Sequence, residues 1–107
     1  MEFIETPLFA ESIEGILNDE DIRELQNFLM QNPEAGSVIP GVSGLRKVRW
    51  ASKGHGKRGG ARVVYLIVHV KDLIYFIVAY TKNTKTDLTA SEKKVFKQLV
   101  KTLKELP

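Results

Sequence analysis

The sequence contains no cysteine, only two histidines, His55 and His69, and no apolar run long enough to cross a bilayer. The lack of cysteine excludes disulfides, thiol catalysis and Cys-ligated zinc. Two imidazoles are too few for a convincing zinc site, and no Ser-His-Asp arrangement is apparent. We therefore expect one domain over residues 1–107, without a metal or other cofactor, in the cytoplasm and not at a membrane.

Acidic residues are scarce in the second part of the chain. Residues 1–45 carry nine acidic side chains and one basic one, whereas residues 46–107 carry fifteen basic and four acidic ones. The imbalance is greatest between Arg46 and Arg62, where seventeen residues include seven Lys or Arg, four Gly and no carboxylate. We call this stretch the basic segment. Its cations suit a polyanion, and its glycines allow close backbone approach, so nucleic acid is the first candidate ligand.

The same scarcity argues against several enzyme classes. A paired-carboxylate hydrolase or a two-metal nuclease needs acidic groups beside the substrate, and the carboxylates concentrate in the N-terminal part, away from the basic segment. The run from Gly54 to Gly60 lacks the spacing of a phosphate-binding NTPase loop and the hydroxyl that would hold magnesium. The lysines of the last helix are interpreted as a solvated surface.

The hydrophobic pattern predicts the element order β-α-α-β-β-β-α. Predicted strands cover residues 3–5, 45–50, 61–70 and 73–82, and predicted helices run from 7 to about 17, from 18 to 32, and from a capping box at Thr89 and Glu92. Only Lys71-Asp72 separates the two long apolar strands, which indicates an antiparallel hairpin covered on both faces. We expect an α+β fold with a mainly antiparallel sheet, an N-terminal helical hairpin and a C-terminal helix.

Alternation along the strands sets the direction of polar side chains. Lys47 and Arg49 fall on one face of their strand, and Tyr80 and Lys82 fall on one face at the end of the last strand. Cations with a phenol, and one imidazole if His55 takes part, suit metal-free cleavage of RNA through its own 2′-hydroxyl. That reaction needs a base, cations that stabilise the phosphate charge, and an acid for the leaving oxygen.

The stretch GLRKVRWASKGHGKRGGARVVYLIV, followed by YFIVAYTKN and TDLTASEKK, resembles the HigB-type branch of the RelE/ParE toxin superfamily. The resemblance covers most of the chain from Gly44 onward. It implies a RelE-like (microbial RNase-like) fold and a toxin of a type II toxin–antitoxin system. Such toxins cleave messenger RNA, usually in the ribosomal A site and without metal, and a HigA-type helix-turn-helix antitoxin neutralises them.

The resemblance also assigns site residues. The family's catalytic cations match Lys47, Arg62 and Lys82, and Tyr80 is the candidate phenol. Where RelE has an arginine after that lysine and a tyrosine opening the last helix, this chain has Asn83 and Thr89. The residues expected to bind RNA are Arg46, Arg49, Lys53, His55, Lys57 and Arg58, and His55 is also a candidate catalyst because other branches of the family use histidine.

Two other functions fit the same residues. A non-catalytic RNA-binding or ribosome-binding module would carry the same basic segment. A ParE-type gyrase inhibitor would share the scaffold, since fold does not fix function. His69 and Trp50 are expected to be structural, and Arg62 has the alternative role of a salt bridge to the acidic helices.

Overall fold

The structure, a computed structural model, describes residues 1–51 and 60–107. Its sheet has five strands in the order β1-β5-β4-β3-β2, with β1 parallel to β5 and every other pair antiparallel. The elements are β1 (Glu2–Glu5), α1 (Pro7–Ser12), α2 (Asp19–Gln31), β2 (Ser37–Val38), β3 (Leu45–Trp50), β4 (Ala61–Val68), β5 (Leu73–Thr81) and α3 (Ala90–Glu105). The α+β class and the predicted element order are confirmed, and the two-residue β2 is an addition.

Strand β4 lies in the middle of the sheet and is buried on both faces. Its side chains alternate between two apolar clusters: Val64 and Leu66 pack with α3, and Val63 and Tyr65 pack with α1 and α2. This explains why its sequence is apolar almost without interruption. The sheet therefore has an α3 face and an α1/α2 face.

Helices α2 and α3 begin where the sequence predicted. Asn18 with Asp21, and Thr89 with Glu92, form reciprocal capping boxes at α2 and α3. Within the described residues, no helix has both the length and the apolarity needed to cross a membrane.

Helix α1 is shorter than predicted, because it ends at Ser12 and not near Leu17. The Ser12 hydroxyl donates to the carbonyl of Phe9 and accepts a hydrogen bond from the backbone N–H of Ala79 in β5. The chain then turns through Gly15, whose φ of +73° is left-handed. The prediction missed this because Ile13, Ile16 and Leu17 continue the apolar spacing of a helix.

The β4–β5 hairpin also differs from the prediction. Strand β4 ends at Val68, and residues 69–71 form a 3₁₀ turn that places Val70 in solvent with 93% of its surface exposed. Asp72 follows in the left-handed region with φ of +54° and accepts the N–H of Glu2, which starts β1. Strand β5 ends at Thr81, so Lys82 lies just beyond it.

A β-bulge interrupts the pairing of β4 with β5. Val64 pairs with Val78 and Tyr65 with Phe76, which leaves Ile77 without a partner in β4. Thr6 donates its hydroxyl hydrogen to the carbonyl of Ile77 at 2.9 Å. The extra residue shifts the alternation, so residues after the bulge change faces.

Candidate functional site

Three residues singled out by the sequence lie side by side on the α3 face of the sheet. Arg49 of β3 pairs with Arg62 of β4, and Arg62 pairs with Tyr80 of β5. Residues directly opposite each other in adjacent strands have Cβ atoms about 4.5–5.5 Å apart on the same face. We call Arg49, Arg62 and Tyr80 the central row. It lies at the end of the sheet where β4 begins and β5 ends.

Two local features bring the central row into register. Gly60 precedes β4 with φ of +60°, and a Cβ there would lie 2.5 Å from the carbonyl oxygen of Trp50. Only glycine permits this close approach, which starts β4 opposite the end of β3. On the other side, the bulge at Ile77 turns Tyr80 to the α3 face, because uninterrupted alternation from Tyr75 would have directed it to the α1/α2 face.

Lys47 lies two residues before Arg49 on the same strand face and makes an ion pair. Its Nζ is 3.2 Å from Oδ1 of Asp87, which also accepts the backbone N–H of Leu88 at 2.8 Å. The Leu88 hydrogen bond, followed by the contact with Lys47, lowers the pKa of the Asp87 carboxyl. Asp87 is therefore ionised at neutral pH and holds Lys47 beside the central row.

Tyr80 is buried, with 4% of its surface exposed. Within the described residues its hydroxyl has no hydrogen-bond partner. Burial raises the pKa of the phenol, with Asp87 adding to the rise and Arg62 opposing it. Lys85 Nζ lies 5.2 Å from the centre of the ring and is ion-paired with Glu92 of α3. The phenol is thus neutral at physiological pH, so it can donate a proton but cannot act as a base.

Comparison with known proteins decides the family. A family model described as the RelE toxin of the RelE/RelB toxin–antitoxin system matches residues 31–107. The chain belongs to the RelE toxin family. Its fold is similar to that of a double arginine-to-alanine mutant of the E. coli toxin RelE in the free state, with a TM-score of 0.56 and 15% sequence identity over 94% of this chain and 95% of that one. At that identity the likeness concerns the fold alone, and the expected RelE-like fold is confirmed.

Arg46 and Lys82 occupy different surroundings from the central row in this RelE-family toxin. Arg46 lies on the opposite face of β3 and donates from Nη1 to the carbonyls of Gly36, at 2.7 Å, and Glu34, at 3.2 Å. It ties the segment before β2 to the sheet, a structural role that the sequence did not indicate. Lys82 was predicted to share a strand face with Tyr80. It is exposed and follows the end of β5, so the sheet does not fix the direction of its side chain.

Four of the predicted RNA-binding residues, Lys53, His55, Lys57 and Arg58, lie outside the described residues. The two residues expected to be structural, His69 and Trp50, contact Glu34 and Phe28. His69 Nε2 is 3.6 Å from Oε1 of Glu34, and the ring of Trp50 packs at 5.4 Å from that of Phe28.

Sequence reasoning missed the acidic groups beside the central row. It expected the carboxylates to lie away from the basic segment, but Asp87 contacts Lys47 directly and Glu92 acts on Tyr80 electrostatically. The sequence feature that could have revealed these carboxylates is the short connection from β5 to the capping box of α3. It brings residues 82–89 back over the end of β5. No group of three or more His, Asp or Glu side chains that could hold a metal ion occurs among the described residues.

Proposed function

We propose that this RelE-family chain is an mRNA interferase of the HigB type. It cleaves translated messenger RNA, in the ribosomal A site, by attack of the RNA's own 2′-hydroxyl and without metal. The observation that supports this most directly is the central row, in which two guanidinium groups and a neutral phenol share one face beside Lys47. That set supplies the positive charge and the proton donor that phosphodiester cleavage requires.

The roles in the reaction follow from charge. Arg49 and Arg62 stabilise the negative charge that gathers on the scissile phosphate, since guanidinium groups remain protonated and match phosphate geometry. The 2′-oxygen bonds to phosphorus, the bond from phosphorus to the 5′-oxygen breaks, and a 2′,3′-cyclic phosphate results. Tyr80, kept neutral by burial, gives its proton to the departing 5′-oxygen.

The base that takes the 2′-hydroxyl proton is assigned to the pair of Lys47 and Asp87. Asp87 is ionised and can accept a proton, while Lys47 next to it remains available to the phosphate. Because Tyr80 is buried, contact of its hydroxyl with RNA requires movement of residues around the ring, among which Lys85 lies 5.2 Å from the ring centre.

The partners follow from the same proposal. The ribosome presents the messenger RNA in the cytoplasm, and a HigA-type helix-turn-helix antitoxin blocks the toxin. An acidic or amphipathic antitoxin segment laid across the basic segment, which has no carboxylate of its own, would neutralise its charge. A toxin–antitoxin complex whose interface leaves the basic segment uncovered would contradict this mode of inhibition.

The test is induced expression of the wild type, Arg62→Ala and Tyr80→Phe, followed by primer-extension mapping of one abundant transcript. We expect in-frame cuts with the wild type and not with Arg62→Ala or Tyr80→Phe, and none on a matched transcript whose start codon is destroyed. Arg23→Ala is the control, because it removes the same side chain from the exposed surface of α2. It should cleave like the wild type.

Two results would count against the proposal, the first against nuclease activity and the second against the roles given to the central row. Intact transcripts in arrested cells would indicate a gyrase inhibitor, which markers of DNA damage would reveal, or a translation blocker without nuclease activity. Full cleavage by Arg62→Ala would remove the central row from the mechanism while leaving the nuclease activity itself in place.

A further inference from the structure

Four lysines of α3 line a groove that is separate from the central row. The groove has a volume of about 580 Å³ and is bordered by Ser43 and Gln98 together with Lys94, Lys97, Lys101 and Lys104. At 100° per residue, these lysines fall within an arc of about 80° on the helix surface. We call this surface the lysine groove. The sequence suggested only a solvated helix surface, but the fold collects the charges against the loop before β3.

The lysine groove holds uncompensated positive charge. The ion pairs of α3 among the described residues involve Glu92, and none joins an acidic side chain to the four groove lysines. Four like charges along one stripe repel each other unless an anion lies among them. A surface that keeps such a stripe is complementary to a polyanion.

The loop before β3 and the length of the lysine stripe together favour an extended ligand. A Cβ on Gly44 would lie 3.1 Å from Nζ of Lys104, so the end of that lysine rests on the loop beside the groove. From Lys94 to Lys104 the helix advances about 15 Å, which corresponds to about four base-pair steps measured along the axis of a duplex. The stripe is therefore long enough to follow a nucleic-acid backbone rather than a single anion.

The lining of the groove distinguishes a duplex from a single strand. Binding of single strands relies on aromatic side chains that stack on unpaired bases. No aromatic or acidic side chain lines the described part of the groove. Lysines alone recognise phosphates and no base edges, which is how proteins bind the backbone of duplex RNA by charge and shape.

The first turn of α3 lies near the proposed cleavage site. Lys93, the residue before the stripe, acts electrostatically on Asp87, which contacts Lys47. At the other end of the helix, Lys71 donates to the carbonyl of Leu106, next to the β4–β5 turn. Helix α3 thus runs from the neighbourhood of Asp87 toward the β4–β5 turn, with the lysine groove along its length.

We propose that the lysine groove binds the phosphate backbone of a structured, base-paired RNA, separately from the strand that the central row cleaves. The choice of RNA over DNA rests on the proposed function, whereas the duplex-binding groove rests on its own geometry. An acidic protein is the competing occupant. It is less well supported, because no apolar residue lines the described part of the groove itself; the apolar residues nearby, Val38, Ile39 and Val42, line an adjoining depression.

The experiment measures binding of a short RNA duplex that is 2′-O-methylated on both strands, so that cleavage cannot occur. The test variant is Lys97→Gln with Lys101→Gln, and the control is Arg23→Gln with Lys71→Gln, which makes the same change in net charge elsewhere. Glutamine is a good helix former, so α3 is retained in the test variant. Affinity is measured from low to moderate salt, with a duplex DNA of the same sequence and a glutamate-rich peptide as competing ligands.

We expect the test variant to bind the RNA duplex about tenfold more weakly at low salt, and the slope of log affinity against log salt to fall by about two. The control should stay within about twofold of the wild type. Equal weakening in the control, or no weakening in the test variant, would overturn the proposal. So would tighter binding of the DNA duplex, or tighter binding of the acidic peptide through the same lysines. Because the duplex cannot be cleaved, its binding can be measured and interpreted even if the nuclease proposal fails.

Discussion

Both faces of the sheet bury tyrosines, and the hydroxyl groups of Tyr65 and Tyr80 have different surroundings. On the α1/α2 face, Tyr65 donates to the carbonyl of Pro33 at 2.8 Å and accepts the N–H of Gly36 at 2.9 Å. On the α3 face, the Tyr80 hydroxyl is buried without a partner in the described part of the chain. Burial raises the pKa of both phenols. The same residue type, equally buried, is satisfied in one place and unsatisfied in the other.

This difference separates a structural phenol from a candidate catalytic one. A buried hydroxyl without a partner costs free energy, so a protein that needed only the ring could carry phenylalanine instead. The unpartnered hydroxyl lies in register with Arg62, where the proposed function requires a proton donor. Tyr65, by contrast, fastens the segment after α2 to the sheet.

The largest expected effect is that of Tyr80→Phe on cleavage. Loss of the proton donor should lower the cleavage rate about 100-fold or more, as is typical when a general acid is removed. The stability of the protein should stay unchanged or rise by up to about 1 kcal/mol, since the variant no longer buries an unsatisfied hydroxyl. Single-turnover cleavage on programmed ribosomes and urea unfolding measure the two quantities.

A variant that loses activity and stability together would show that the hydroxyl is structural. A variant that keeps both would assign the proton donor to another group. Either outcome would contradict the assignment of Tyr65 as the structural phenol and Tyr80 as the catalytic one.

Tyr65→Phe should give the opposite pattern. Removal of its hydroxyl leaves the N–H of Gly36 and the carbonyl of Pro33 without this partner inside the structure, which should cost about 2 kcal/mol of unfolding free energy. Cleavage should be unaffected at temperatures where the variant is folded. A loss of cleavage in protein shown by circular dichroism to be folded would place Tyr65 in the active site and contradict the assignment.

Ser12→Ala tests whether the hydrogen bond between Ala79 and Ser12 helps to hold Tyr80 in place. The Ser12 hydroxyl satisfies the backbone N–H of Ala79, the residue before Tyr80, at the point where β1 no longer pairs with β5. The variant should lose about 1 kcal/mol of stability and show a several-fold decrease in cleavage, because the end of β5 is less firmly held. Glu11→Ala, at an exposed neighbouring position, is the control. Equal effects in the two variants would remove the specific role of Ser12.

Parts of the site followed from the sequence because they depend on local rules. The alternation of β3 put Lys47 and Arg49 on one face, and the capping boxes fixed the starts of α2 and α3. The pairing of β4 with β5 followed from two adjacent β-rich runs. Each of these features is decided within a few residues of the chain.

The missed features depend on contacts between distant segments. At the bulge, the carbonyl of Ile77 accepts a hydrogen bond from the hydroxyl of Thr6, which is 71 residues away, and the bulge changes the face on which Tyr80 lies. The ion pair of Lys47 with Asp87 joins β3 to the start of α3. Period-two alternation places Tyr80 and Lys82 together but cannot reveal a register shift, so it gave no warning that Tyr80 had changed faces.

The smallest expected effect concerns pH and the Asp87 carboxyl. Its pKa is lowered in the folded state, so the unfolded chain binds the proton more readily and the carboxylate stabilises the fold above its unfolded pKa of about 3.9. That stabilisation should disappear as the pH falls through the lowered folded pKa. Because Asp87 is 48% exposed, solvent screens the pair and the effect should be only a few tenths of a kcal/mol.

Urea unfolding of the wild type and Asp87→Asn at neutral pH and at acid pH values stepped down well below the ordinary Asp pKa of about 3.9 measures this difference. We expect Asp87→Asn to be slightly less stable at neutral pH and the two proteins to converge in acid. Cleavage by Asp87→Asn should fall far more than its stability, since the proposed base is lost while Lys47 keeps its charge. An unchanged cleavage rate would transfer the base role to Lys47 alone. A stability difference that persists in acid would show that the Asn substitution acts through the hydrogen bond from Leu88 and not through charge.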